Sequence, residues 1–282
     1  MLDGVMLLWF LLTALSLLFV AVDIRTTPES TVLKWGFILL TAYTGPFGAF
    51  LYVLGCREPL PGLHERYVAT RWRQVLGSTM HCVAGDGVGI LAGAVVAGVF
   101  HFPPTLDIAL EYILGFGFGW AIFQALFMRD MAGGSYARAL SSTFFPELLS
   151  MNCLMAGMVP IMTWAMKNTA MAHEPTGPAF WFVMSMALLV GFITAYPMNW
   201  WLVSRHMKHG MMTIRFSNKP TNEDTMHASA SEHSHDAHTA PARRAEKQTQ
   251  EPGSKRTLAG MTILSFIVFG VGLGIAVLLT RF

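Results

Sequence analysis

The chain predicts an all-α fold, a polytopic bundle of about seven transmembrane helices with a disordered cytoplasmic loop. Three observations carry that prediction. Of the 282 residues, 53% are hydrophobic and 13% charged, about half the charged share of a soluble domain. Seven windows of membrane-crossing length carry few or no charges, at roughly 4–23, 33–55, 77–100, 106–128, 143–166, 179–203 and 257–280. The lysines and arginines between those windows are also unevenly shared.

The first window is led by Asp3, with no basic residue before it and no A-x-A site after it. It reads as a retained helix and not as a signal peptide. The second contains Gly45-Pro46, which predicts a kink. Together they form an N-terminal helical hairpin over 1–56. A core domain of four helices follows over 57–212. A polar, His-containing tether over 213–256 is too poor in apolar and aromatic residues to fold alone. The segment 257–282 supplies the last helix.

With the N-terminus inside, the inner connections hold Arg57, Arg66, Arg71, Arg73, Arg129, Arg138 and the nine basic residues from Arg205 to Arg256. The outer ones hold Arg25, Lys34, Lys167 and Arg281. This split predicts a cytoplasmic N-terminus and tether and an external C-terminus. The net charge of +2 gives no sign of a nucleic-acid partner. Lipid is the solvent, and a homo-oligomer is compatible with the pattern. The three cysteines form no secreted disulfide framework, and Cys82 and Cys153 fall inside predicted spans.

The densest chemical pattern lies in the fifth window. Glu147, Met151, Met155, Met158, Met162 and Met166 fall on a stripe covering less than a third of the helix circumference. Thioether sulfurs in a row suit Cu(I), and Glu147 would take a proton or help a cation enter. Methionine is equally a polarizable gap-filler at a helix interface, and the chain has 19.

The third window holds His81, Cys82 and Asp86. Cys82 and Asp86 are one turn apart with Thr79 on their face, while His81 points roughly 140° away from Asp86. A carboxylate this deep in lipid marks a functional site or a hydrogen bond to a neighbouring helix. Gly85, Gly89, Gly93 and Ala97 repeat every four residues, a close-packing seam. They are no phosphate loop, since no strand precedes them and no lysine follows. Glu111 and Gln124 are the polar candidates of the fourth window. In the tether, His233, His235 and His238 form a short metal-capable tract with His227 and Asp236, although a plain spacer has the same composition.

From Arg71 to about Met212, the runs WRQVLGSTMHCVAGDGVG, FGFGWAIFQ and FMRDM and the tripeptide Pro197-Met198-Asn199 resemble an uncharacterised bacterial membrane family defined as a domain of unknown function. The resemblance covers about half the chain. It implies a multi-helix membrane domain and no established activity, with copper-related labels on some relatives. It directs attention to Pro197, Met198 and Asn199 as structural or ion-site candidates. Pro197 would free a carbonyl one turn earlier, and Asn199 would bond across helices.

The expectation is an integral membrane protein that handles a transition metal, foremost Cu(I), through these Met, His, Cys and carboxylate ligands, with a copper ion as its only candidate cofactor. The alternatives are a proton- or cation-coupled carrier of a small solute that uses Asp86 and Glu147, and a non-catalytic membrane accessory subunit. No nucleophilic triad or HExxH motif supports an enzyme.

Overall fold

The computed structural model describes residues 2–57, 63–129, 135–208, 210 and 255–281, and their regular elements are all helical. In chain order these are α1 (Leu2–Asp23), α2 (Thr31–Thr44), α3 (Pro46–Gly55), α4 (His64–Val68), α5 (Arg71–Phe100) and α6 (Pro104–Gly117). A π-helical stretch, Phe118–Gln124, leads from α6 into α7 (Ala125–Arg129). The chain continues with α8 (Tyr136–Asn168), α9 (Pro178–Ser204) and α10 (Lys255–Arg281). The tether histidines, including His233, His235 and His238, lie outside the described residues.

Six of the helices are long and apolar enough to cross a membrane. Burial sorts them into a centre and a rim. In α5, α8 and α9 the apolar windows are 56, 61 and 56% buried, against 11–17% for α1, α10 and the α6 span. The central three therefore pack against protein, and the rim helices turn most of their surface to lipid.

The second predicted span folds differently from a kinked crossing. Gly45 takes a left-handed φ of 59°, and Pro46 starts a new helix with no N–H to continue the old one. The chain reverses there. A Cβ on Gly48 would lie 2.6 Å from the Thr41 Cα, and the Phe37 and Tyr52 rings are 5.4 Å apart. In a continuous helix those two rings would be separated by over roughly 20 Å. With 14 and 10 residues, α2 and α3 rise about 21 and 15 Å, short of the roughly 30 Å hydrocarbon. They form a hairpin that enters and leaves by one face, its tip against Trp9 and Thr13.

This hairpin sets which helix ends share a face. At its base, Tyr52 donates to Asp23 at 2.7 Å, and Arg57 pairs with Asp23 at 3.0 Å. The ends of α1 and α3 therefore share a face. The start of α5 joins them, and Tyr196 near the end of α9 donates to the Trp72 carbonyl at 3.3 Å. On the opposite face, Trp9 of α1 donates to Ser185 of α9 at 3.1 Å, and Lys167 of α8 donates to the Thr280 carbonyl at 2.8 Å. The N-terminus thus lies with the C-terminus and opposite both ends of the tether, not on the tether's face. Arg25 and Lys34 move to the face that already holds Arg57, Arg66, Arg71, Arg73, Arg138 and Arg205. Among the described residues only Lys167 and Arg281 remain on the other. Cysteines at Gly4 and Arg281, in a cysteine-free background, should react from the same side of a sealed vesicle, and one at Arg66 from the other. Matching reactivity of the Gly4 and Arg66 positions would restore a full second crossing.

Glycine sets the closest approach in the bundle. At Gly89 of α5 a Cβ would overlap the Leu114 carbonyl oxygen, with its carbon at 2.5 Å, and at Gly93 it would meet the Glu111 Cα at 2.9 Å. The α5 seam therefore packs on the α6 backbone, as its four-residue spacing predicts. In the same way Gly157 of α8 receives Thr194 of α9, and Gly272 of α10 lies on Ala156 of α8. The fifth window's methionines fill the interior: Met151, Met155, Met158, Met162 and Met166 are all buried among apolar side chains. The α9 helix runs unbroken through Pro197.

Candidate functional site

At the centre of the bundle, α5, the π-helical stretch, α8, α9 and the segment after α9 bring six polar side chains together. Cys82 and Asp86 come from consecutive turns of α5, and Glu147 comes from α8. All three are fully buried. The Cys82 thiol donates to Glu147 Oε2 at 2.9 Å. Gln124 Nε2 donates to the same carboxylate oxygen at 2.9 Å and to Cys82 Sγ at 3.0 Å.

The π-helical stretch is what aims Gln124. Its wider turn inserts an extra residue into the α6–α7 line, placing Gln124 at the last π position and Gly119 near the first. Gly119 is obligatory at this point. A Cβ there would overlap Asp86 Oδ1 and stand 2.9 Å from Glu147 Oε1. Two carboxylate oxygens from different helices therefore converge on one glycine. Neither Asp86 oxygen, nor Glu147 Oε1, accepts a hydrogen bond among the described residues.

Lys208 balances part of that charge. After Ser204 the chain turns back: His206 adopts φ 55°, and the Met207 and Lys208 amides both donate to the Leu202 carbonyl. This closure of the helix end drives the Lys208 side chain into the bundle, where only 6% of the residue is exposed. Its ammonium donates to Cys82, to Asn199 Oδ1 at 2.9 Å and to Glu147 Oε2 at 3.4 Å. Burial works against the ammonium, and the Glu147 carboxylate beside it works for it. Asn199 is fixed in turn by donating to Ser150 at 2.8 Å.

The residues singled out from sequence distribute unevenly over this centre. Cys82, Asp86, Glu147 and Asn199 are in it. His81 is fully buried, its ring at 64° to that of Phe123 with centroids 5.6 Å apart. Of the methionine stripe, Met151 reaches closest: its Cε and the Asp86 carbonyl oxygen would lie 2.7 and 3.3 Å from a Cβ on Gly115. Met155, Met158 and Met162 belong to the apolar core, as does the interior face of α9, while Met198 joins Leu149, Cys153 and Leu202 in a smaller cluster. Among the described residues, no group of three or more His, Cys, Asp and Glu is arranged to hold a metal ion.

Lys208 is the member that sequence reasoning missed. It sits four residues past the helix end in a basic run, where a charge normally serves sidedness and anionic lipid. The fold-back that buries it depends on a left-handed histidine and not on a glycine, so no residue type announces it. Gln124 was visible as a lone amide in an apolar span, but its π-helical phase was not.

Residues 71–208 match the family described as Domain of unknown function (DUF4396). The match starts at the first residue of α5 and ends at Lys208, so all six polar residues of the centre fall within it. No curated protein and no solved structure matches the chain.

Proposed function

We propose that the protein is an ion-coupled membrane carrier whose coupling ion, a proton or a monovalent cation, binds between Asp86 and Glu147. One observation carries the reading. Two buried carboxylates meet at Gly119 beside a buried ammonium, and three of their four oxygens accept no hydrogen bond among the described residues. With both acids ionised the centre has one negative charge in excess, which hydrocarbon surroundings strongly oppose. One proton or one monovalent cation cancels it. A centre that needs one positive charge, and whose parts come from five segments, links ion occupancy to how the helices pack. By the positive-inside rule the face with Arg57, Arg71 and Arg73 is cytoplasmic, which puts both termini outside.

Charge displacement on a solid-supported membrane tests the reading without knowledge of the solute. A proton or sodium jump on reconstituted full-length protein should give a transient current. That current should be lost in Asp86→Asn and in Glu147→Gln and kept in the double variant Met155→Leu, Met158→Leu. Equal currents in the parent and both carboxyl variants would remove the proposal.

A soft-metal role is the second reading, favoured by one placement: the Met151 methyl reaches Gly115 beside the Asp86 backbone, and the Cys82 thiol bonds Glu147. It requires Cu(I) binding by purified protein with the tether deleted, falling when Cys82→Ser and Met151→Leu are combined. In both readings the buried methionines farther along α8 serve as packing, which Leu substitution tolerates to within about 1.5 kcal/mol.

A further inference from the structure

A second acidic position lies nearer the face that carries both chain ends. Glu111 of α6 is completely buried, its Cα pressed on Gly93, and neither carboxyl oxygen has a hydrogen-bond donor among the described residues. One turn toward that face stands Asp107, whose Oδ1 is likewise without a donor among them. Asp107 lines a cavity of about 180 Å³ whose other polar walls are His101, at the end of α5, and His173, between α8 and α9. Met166 of α8 and Phe180 of α9 close it. Beyond Glu111, the α5–α6 seam leads inward to Gly115 and the Asp86 backbone, then to Gly119 and the carboxylate pair.

We infer that Glu111 is the outer member of a proton relay, which connects the Asp107–His101–His173 cavity to the Asp86–Glu147 pair. The inference rests on the ion-coupled reading and deepens it by naming the ion. A metal cation at Glu111 would need several oxygens around it, and no such set surrounds it among the described residues, whereas a proton needs one. Asp107 on its own helix is the titratable group whose charge reaches Glu111, and His101 and His173 stand beside Asp107 in the cavity wall. Met166 and Phe180 do not titrate. In the step itself a proton leaves hydronium in the cavity and bonds to a Glu111 oxygen. It then leaves that oxygen for water, and the water delivers it to an Asp86 oxygen while Glu111 returns to carboxylate. Gly93 and Asp86 are seven residues apart on α5, about 10 Å of rise, so the transfer needs water admitted where α5 and α6 part at the Gly89 contact.

Time-resolved infrared spectroscopy after a pH jump, on the purified full chain in lipid, tests the relay. The carbonyl band of the pair is assigned as the signal that Asp86→Asn removes. In Glu111→Gln that band should reach the same end point at least about tenfold more slowly, since a general acid–base group contributes about a hundredfold or more to proton transfer. Glu111→Asp should recover part of the rate. An unchanged rate in Glu111→Gln would overturn the relay and leave the carboxylate pair standing. Absence of any band that Asp86→Asn or Glu147→Gln removes would instead overturn the ion-coupled reading, and the relay with it.

Discussion

Gly89→Ala should lower the stability of the bundle by about 3 kcal/mol, the top of the range for an overpacked interior. The added methyl would overlap the Leu114 carbonyl, a backbone group that cannot rotate aside. Relief therefore requires α6 to move off α5, which opens Gly93 from Glu111 and Gly85 from Phe123 at the same time. The control is built into the chain. A methyl added at Gly117 or Gly270 would meet nothing within 4 Å, so alanine there should be neutral or stabilising by up to about 1 kcal/mol. Thermal unfolding in one detergent compares all three. A Gly89→Ala protein that melts with its Gly117→Ala control would mean that α5 and α6 are not in backbone contact.

Lys208→Met should be the most damaging change of a side chain. It removes the ammonium from a centre with two carboxylates, and breaking a buried pair by deleting one partner costs about 3–5 kcal/mol. Cys82 and Asn199 lose a donor with it. The loss should be conditional. In Lys208→Met, Glu147→Gln the stranded charge is gone, so most of the stability should return, with a coupling above about 1 kcal/mol in the double-mutant cycle. Additive losses would mean that the ammonium is not paired with Glu147.

Both predictions use features that the sequence exposes to different degrees. The bundle was legible because lipid imposes long apolar helices, and the seam because Gly85, Gly89 and Gly93 recur at helical spacing. Asp86 and Glu147 were legible as carboxylates that lipid would not tolerate alone, and they do turn inward toward each other. The second span misled because length and composition do not distinguish a crossing from a hairpin. Gly45-Pro46 announced a bend, but its size depends on a φ of 59°. That one turn reverses the side on which the N-terminus lies. The methionine stripe was read from an angle on a helical wheel, which defines a face and not its neighbours. Met151 meets Gly115 of α6, and Met155, Met158, Met162 and Met166 belong to the apolar core. Lys208 and the π-helical phase of Gln124 were hidden because each depends on local backbone geometry that no residue type dictates.

Charge balance makes the central claim countable. In an Asp107→Asn, Glu111→Gln background, which removes the other buried acids of α6, infrared spectroscopy in buffer without small metal cations reports the protonated carboxyls left inside the bundle. One is expected, because Lys208 balances one carboxylate and a proton must balance the other. Asp86→Asn should reduce the count to none, and so should Glu147→Gln, since either leaves a single carboxylate facing Lys208. Lys208→Met should raise it to two. A count of none in the starting protein, or a count that Lys208→Met leaves unchanged, would contradict a shared single-ion site between Asp86 and Glu147.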